Sequence, residues 1–116
     1  MTAANKRKGA LWETDLLKAF RTAGIDAERL RLTGRLDEGD LVLKVDGRAY
    51  VVEAKVPLDL AAAQREASVE AYNYGRARAM DRPHFVAIHK RRGYPTREAY
   101  VVMPVYEWLN QIGALE

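Results

Sequence analysis

Apolar positions recur at helical spacing early in the chain. Leu16, Leu17 and Phe20 share one face and Gly24 follows as a stop, which predicts a helix from about Gly9 to Ala23. Leu30 and Leu32 then alternate with Arg29, Arg31 and Thr33, a short strand leading into a loop at Gly34. The β-rich runs Leu41 to Val45 and Ala49 to Val52 flank Asp46-Gly47-Arg48, and an Asp-Gly pair between two such runs is a strong hairpin signal. Pro57 closes the second run, and Asp59 is the N-cap of an alanine-rich helix reaching about Met80. Phe85 to Ile88 and Ala99 to Val102 read as strands on either side of a turn at Arg91-Arg92-Gly93, and Pro104 opens a short last helix through Trp108 and Leu109. The order is αβββαββα, an α+β arrangement in which helices cover a central mixed β-sheet.

The hairpin carries the sharpest inference. A two-residue turn pairs Val45 with Arg48 and, counting back, Asp40 with Glu53. Directly opposed residues lie about 4.5–5.5 Å apart at Cβ, where like charges repel. Alternation sends Leu41, Leu43, Val45, Tyr50 and Val52 to one face. The other receives Asp40, Val42, Lys44, Ala49, Val51, Glu53 and Lys55. Two carboxylates and a lysine thus meet on a partly apolar face. One reading is a solvated face whose acids pair with Lys44 and Lys55. Glu53 counts against it, because it interrupts a run, Tyr50 to Val56, with the hydrophobicity of a central strand. A carboxylate there is costly unless a cation or hydrogen bonds compensate it. Mg²⁺ or Mn²⁺ compensates and adds chemistry, since such ions take one or two protein carboxylates, keep waters and accept phosphate oxygens. Glu13 is a third misplaced acid, on the stripe of the first helix that carries Leu16, Leu17 and Phe20.

Composition narrows the chemistry. The 116 residues suit one domain, 1–116, with residues 1–8 expected as a flexible basic arm. The absence of cysteine excludes disulfides, thiolate metal sites and cysteine nucleophiles. No apolar run is long enough to span a membrane, and no signal peptide is evident. The expected place is therefore the cytoplasm, or the host cytoplasm for a viral protein. His84 and His89 fall on opposite faces of a strand, which argues against a two-histidine metal site. No serine-type triad or phosphate loop is present. The formal charge of +3 is compatible with a polyanion partner but does not name one.

Gly39-Asp40, then Glu53-Ala54-Lys55 on the second arm of the hairpin, with Glu13 upstream and a Gln64-bearing helix downstream, resemble the PD-(D/E)xK nuclease superfamily. Within it the chain is most similar to the archaeal-type Holliday junction resolvases and their phage relatives. The basic segment Arg7-Lys8-Gly9, the helix acid Glu13 and the loop Thr33-Gly34-Arg35 match in order. Gly39 stands where the family has proline.

The resemblance implies a restriction-endonuclease-like fold and Mg²⁺-dependent hydrolysis of DNA phosphodiesters, with Mn²⁺ as a substitute. Asp40, Glu53 and the backbone carbonyl of Ala54 would hold the metal. Glu13 would complete the site directly or through water, and Lys55 would orient water or stabilise charge at the phosphate. It also implies a homodimer that cuts four-way junctions in DNA recombination and repair. Arg7, Lys8, Arg31, Arg35 and Gln64 are the candidate DNA contacts. Further basic groups lie at Arg76, Arg78 and His89 to Arg92. The alternatives are a nuclease for other branched, linear or damaged DNA, a non-catalytic DNA-binding module of the same fold, and an interaction protein whose acids are merely salt-bridged.

Overall fold

The computed structural model describes residues 3–31, 37–56 and 59–114. Helix α1 spans Ala3–Thr22, β1 Asp26–Arg29, β2 Leu41–Val45, β3 Arg48–Lys55, α2 Leu60–Ala77, β4 His84–His89, β5 Tyr100–Val102 and α3 Val105–Gln111. A single turn of 3₁₀ helix, Thr96–Glu98, precedes β5. The strands form one mixed sheet in the order β1-β2-β3-β4-β5, in which only β3 and β4 run parallel.

The hairpin register is the expected one, with Leu41 opposite Val52 and Val45 opposite Arg48. Asp46 and Gly47 have φ of 51° and 77°, the paired left-handed geometry of a type I′ turn. The resulting alternation builds two cores. Trp12 and Leu16 of α1 pack on Leu41, Val52, Val86 and Ile88. On the opposite face Ala67, Ala71 and Tyr74 of α2 pack on Val42, Ala49, Val51 and Phe85. Each wholly buried aliphatic side chain contributes about 1.5–3 kcal/mol, and a one-residue slip of β3 would turn them all to the wrong helix. The register that fixes the cores therefore also fixes which face receives Glu53.

Three boundaries differ from expectation. Helix α1 begins at Ala3, so Lys6, Arg7 and Lys8 lie on its first turns. The alanines and lysines of this segment propagate helix well, although it has little apolar periodicity to reveal it. The first strand lies at Asp26–Arg29 rather than around Leu30 and Leu32. Leu30 follows the strand and packs against the α2-side core, so its apolar character reflects packing and not strand alternation. Helix α2 ends at Ala77, before Met80. Its start agrees, with the Asp59 side chain accepting the N–H of Ala62 at 3.1 Å. Leu32, Thr33-Gly34-Arg35 and Pro57 lie outside the described residues.

Candidate active site

The site forms where β2 begins and β3 ends, on the face covered by α2. Asp40 immediately precedes β2 and its backbone is held on both sides. Its N–H donates to the carbonyl of Val52 at 3.1 Å and its carbonyl accepts from the N–H of Leu30 at 2.8 Å. Its side chain is fixed as well, because the N–H of Ala54 donates to Oδ2 of Asp40 at 2.8 Å. Gly39 makes this approach possible. It has φ of 104°, and a Cβ there would meet Cγ1 of Val51 at 2.7 Å. Proline, with its φ fixed near −65°, cannot adopt that backbone conformation.

Glu53 lies in the central strand and is only 5% exposed. Burial, then contact with the Asp40 and Glu66 carboxyls, pushes its carboxyl up to about 12. In the absence of a cation it therefore holds a proton at neutral pH. Lys55, two residues on, places Nζ 3.5 Å from Oε2 of Glu53 and 2.6 Å from Oε2 of Glu66. Burial would lower the ammonium, but Glu66 and Glu53 outweigh it and leave it raised, so Lys55 stays charged. Glu13 reaches the same region from α1. It is half-buried and pairs with Nε of Arg29 at 3.4 Å. Burial raises its carboxyl first and the nearby charge of Asp40 next, with Arg29 opposing both. Asp40, Glu53 and Lys55 are thus brought together, whereas Glu13, on α1, meets this group only through the charge of Asp40.

Two members of the cluster escaped the sequence reading. Glu66 and Glu70 descend from α2, and with Glu53 they bring three carboxylate oxygens within 4.8 Å of one another. Glu70 is 5% exposed, and burial and the Asp37 and Asp40 carboxylates push its carboxyl up to about 8. Its Oε1 is buried without a hydrogen-bond partner among the described residues. The available signal was Glu70's place on the buried stripe of Ala63, Ala67, Ala71 and Tyr74, the kind of misplacement that singled out Glu13. A cluster of carboxylates holding a buried oxygen unpaired among the described residues fits a hard divalent ion, Mg²⁺ or Mn²⁺.

The candidate DNA contacts are spread more widely. Arg7, Lys8 and Arg31 are exposed, and Arg35 lies outside the described residues. Gln64 donates its amide to the carbonyl of Val102 at 3.0 Å, which ties α2 to β5. Arg78 is held by both carboxylate oxygens of Glu38, at 2.9 and 3.2 Å, and stacks on Tyr74. His89 is wholly buried and so takes no part in a surface cluster with Lys90 to Arg92. His84 is also buried, with Nδ1 3.3 Å from Oε2 of Glu107.

No protein-family model matches the sequence, and no curated protein does. Among solved structures the chain is similar to Hjc of Archaeoglobus fulgidus, a Holliday junction resolvase from an archaeal hyperthermophile. The TM-score is 0.52 and the identity 19%, over 77% of this chain and 78% of that one. At that identity the likeness is one of fold. The arrangement αβββαββα around a five-stranded mixed sheet is the restriction-endonuclease-like fold of that resolvase.

Proposed function

We propose that the protein is a divalent-metal-dependent DNA endonuclease that resolves four-way junctions as a homodimer. The observation that carries this reading is Glu53, buried in the central strand beside Asp40, with Lys55 on the same face. A carboxylate in such a place is a liability for folding and an asset for binding a cation. Asp40, Glu53 and the carbonyl of Ala54 hold Mg²⁺ or Mn²⁺, and Glu13 supports them from α1. The metal, when bound, activates a water and offsets charge at the scissile phosphate. Lys55 keeps its proton and presents an ammonium to the same phosphate.

Asp37, Asp40, Glu53, Glu66 and Glu70 approach one another around Lys55, and a divalent ion held there would offset the acidic charge that a phosphodiester meets. Arg7, Lys8 and Arg31, exposed at the ends of α1 and β1, supply phosphate contacts to flanking DNA, and Arg35 belongs to the same proposed set. Exposed apolar groups on α2, β5 and α3, namely Val69, Tyr72, Val101, Tyr106 and Trp108, support a dimer. A two-fold dimer suits a substrate with two equivalent strands to cut. The fold likeness to a Holliday junction resolvase favours the junction over other DNA. Cleavage of a synthetic four-way junction beside a linear duplex of the same sequence, with Mg²⁺, tests the choice. Preferential, paired nicking of the junction is expected, and equal cutting of both would assign a nuclease of another class.

A further inference from the structure

The loop from β4 to β5 lies beside the proposed cleavage centre and has no part in it. The N–H of Lys90 donates to the carbonyl of Lys55 at 2.9 Å, so the loop leaves the sheet where β3 ends. At its far end Tyr100 is in register with His89, and His89 with Lys55. Residues in register on neighbouring strands project to one face, so Tyr100 stands on the face of Lys55 and Glu53, two strands away. At the usual strand spacing the two backbones are about 10 Å apart.

Residues 90–100 carry four cations, Lys90, Arg91, Arg92 and Arg97, against one acid, Glu98. Local chemistry gives them a defined shape. Gly93 has φ of 80°, as the third residue of a type II turn requires, and the N–H of Tyr94 closes the turn on the carbonyl of Arg91 at 3.1 Å. Pro95 then leads into the 3₁₀ turn Thr96–Glu98. The turn folds Tyr94 back onto Arg91, whose guanidinium carbon lies 3.7 Å from the centre of the Tyr94 ring and 4.5 Å from that of Tyr100. Arg91 thus holds both rings in place, yet Tyr94 and Tyr100 remain 53% and 52% exposed. Fixed aromatic rings in a basic loop are a stacking surface for a nucleobase. Every base offers a π-face, and the ordering of the rings is already done.

We propose that Tyr94, Arg91 and Tyr100 form a platform on which an unpaired DNA base stacks beside the cut. A paired base hides both faces in the helix stack, so the platform selects DNA whose bases are open next to the scissile phosphate. Arg92 and Arg97, both exposed, meet the flanking phosphates. The inference rests on the nuclease reading for its partner, and it deepens that reading by naming what the site selects.

The test is binding of the full chain, in chelator, to a single-stranded oligonucleotide and to its blunt duplex, each carrying one 2-aminopurine. Tyr94→Leu/Tyr100→Leu and Tyr94→Phe/Tyr100→Phe are measured beside wild type. Melting checks that each variant is folded, and the single changes stand in for a pair that is not. Wild type should prefer the single strand and quench its 2-aminopurine, the signature of stacking. The leucine variant should lose about tenfold in affinity for the single strand, together with the quenching, while duplex binding is nearly unchanged. The phenylalanine variant keeps the rings and should match wild type. Equal losses on both DNAs would overturn the proposal, since the rings would then serve only to hold Arg91 and its loop. Wild-type behaviour of the leucine variant would also overturn it, as would wild type that does not prefer the single strand. Each of these leaves the nuclease reading standing if Mg²⁺-dependent cleavage persists. Stacking by a protein that cuts no DNA when Mg²⁺ is restored supports the platform and overturns the nuclease reading.

Discussion

The N–H of Ala54 donates to Oδ2 of Asp40 at 2.8 Å, so a backbone group of the central strand orients an acid on its neighbour. The bond engages one carboxylate oxygen of Asp40, whose carboxyl also contacts that of Glu53. It also explains how two neighbouring acids are tolerated: Glu53 keeps a proton and Asp40 has a fixed donor. Replacing Asp40 with asparagine leaves an acceptor for Ala54, whereas alanine does not. Asp40→Asn should therefore be more stable than Asp40→Ala by about 1 kcal/mol. Denaturant midpoints check this, and equal midpoints would show that the bond carries no weight.

Glu70 and Glu53 set the pH dependence of the metal-free protein. Both carboxyls are raised from 4.5, to about 8 and about 12. The folded state thus holds protons that the unfolded chain has already released above pH 4.5, and stability falls as pH rises. The window runs from about pH 5 to 8 for Glu70 and continues higher for Glu53. The limiting slope is about 1.4 kcal/mol per pH unit for each group. Tm in a chelator should fall across that range, Glu70→Gln should flatten part of the fall, and Mg²⁺ should flatten more. A Tm that rises from pH 5 to 8 without metal would contradict this.

Gly39 is predicted to be intolerant of any side chain. Gly39→Ala puts a Cβ 2.7 Å from Cγ1 of Val51 in a backbone conformation with φ of 104°. The strain should cost about 1–3 kcal/mol, with further loss where Val51 must shift. Chemical denaturation reads it directly, and an unchanged midpoint would mean that the loop relaxes freely.

Lys55→Met separates binding from chemistry. Loss of the ammonium should lower the cleavage rate by roughly 10²–10³ while Mn²⁺ still binds, because the carboxylates remain. Single-turnover cleavage with saturating metal measures the first and calorimetry the second. Wild-type rates in this variant would remove Lys55 from the reacting centre.

The hairpin was legible in the sequence because Asp46-Gly47 admits few turn geometries, and strict alternation then carries the register from Val45–Arg48 to Leu41–Val52, next to Asp40 and Glu53. The grouping of Asp40, Glu53 and Lys55 followed from it, and the apolar helical stripe pointed to Glu13 as a half-buried acid. Less was legible where the signal depends on tertiary packing. Leu30 suggested strand but packs from outside one, and Ala3 to Lys8 is helical without an apolar face. Glu66 and Glu70 sit in an alanine-rich helix whose buried face is set by contact with β3, so their convergence on Glu53 appears only once α2 is docked.

The central claim is that Asp40 and Glu53 serve metal-dependent DNA cleavage. The most direct test is cleavage of a four-way junction by wild type and Asp40→Asn, each with Mg²⁺ and with chelator, and with junction binding measured in parallel. The account predicts paired nicks only for wild type with Mg²⁺, and near-equal junction binding by both proteins. Undiminished cutting by Asp40→Asn, or cutting by wild type in chelator, would contradict it.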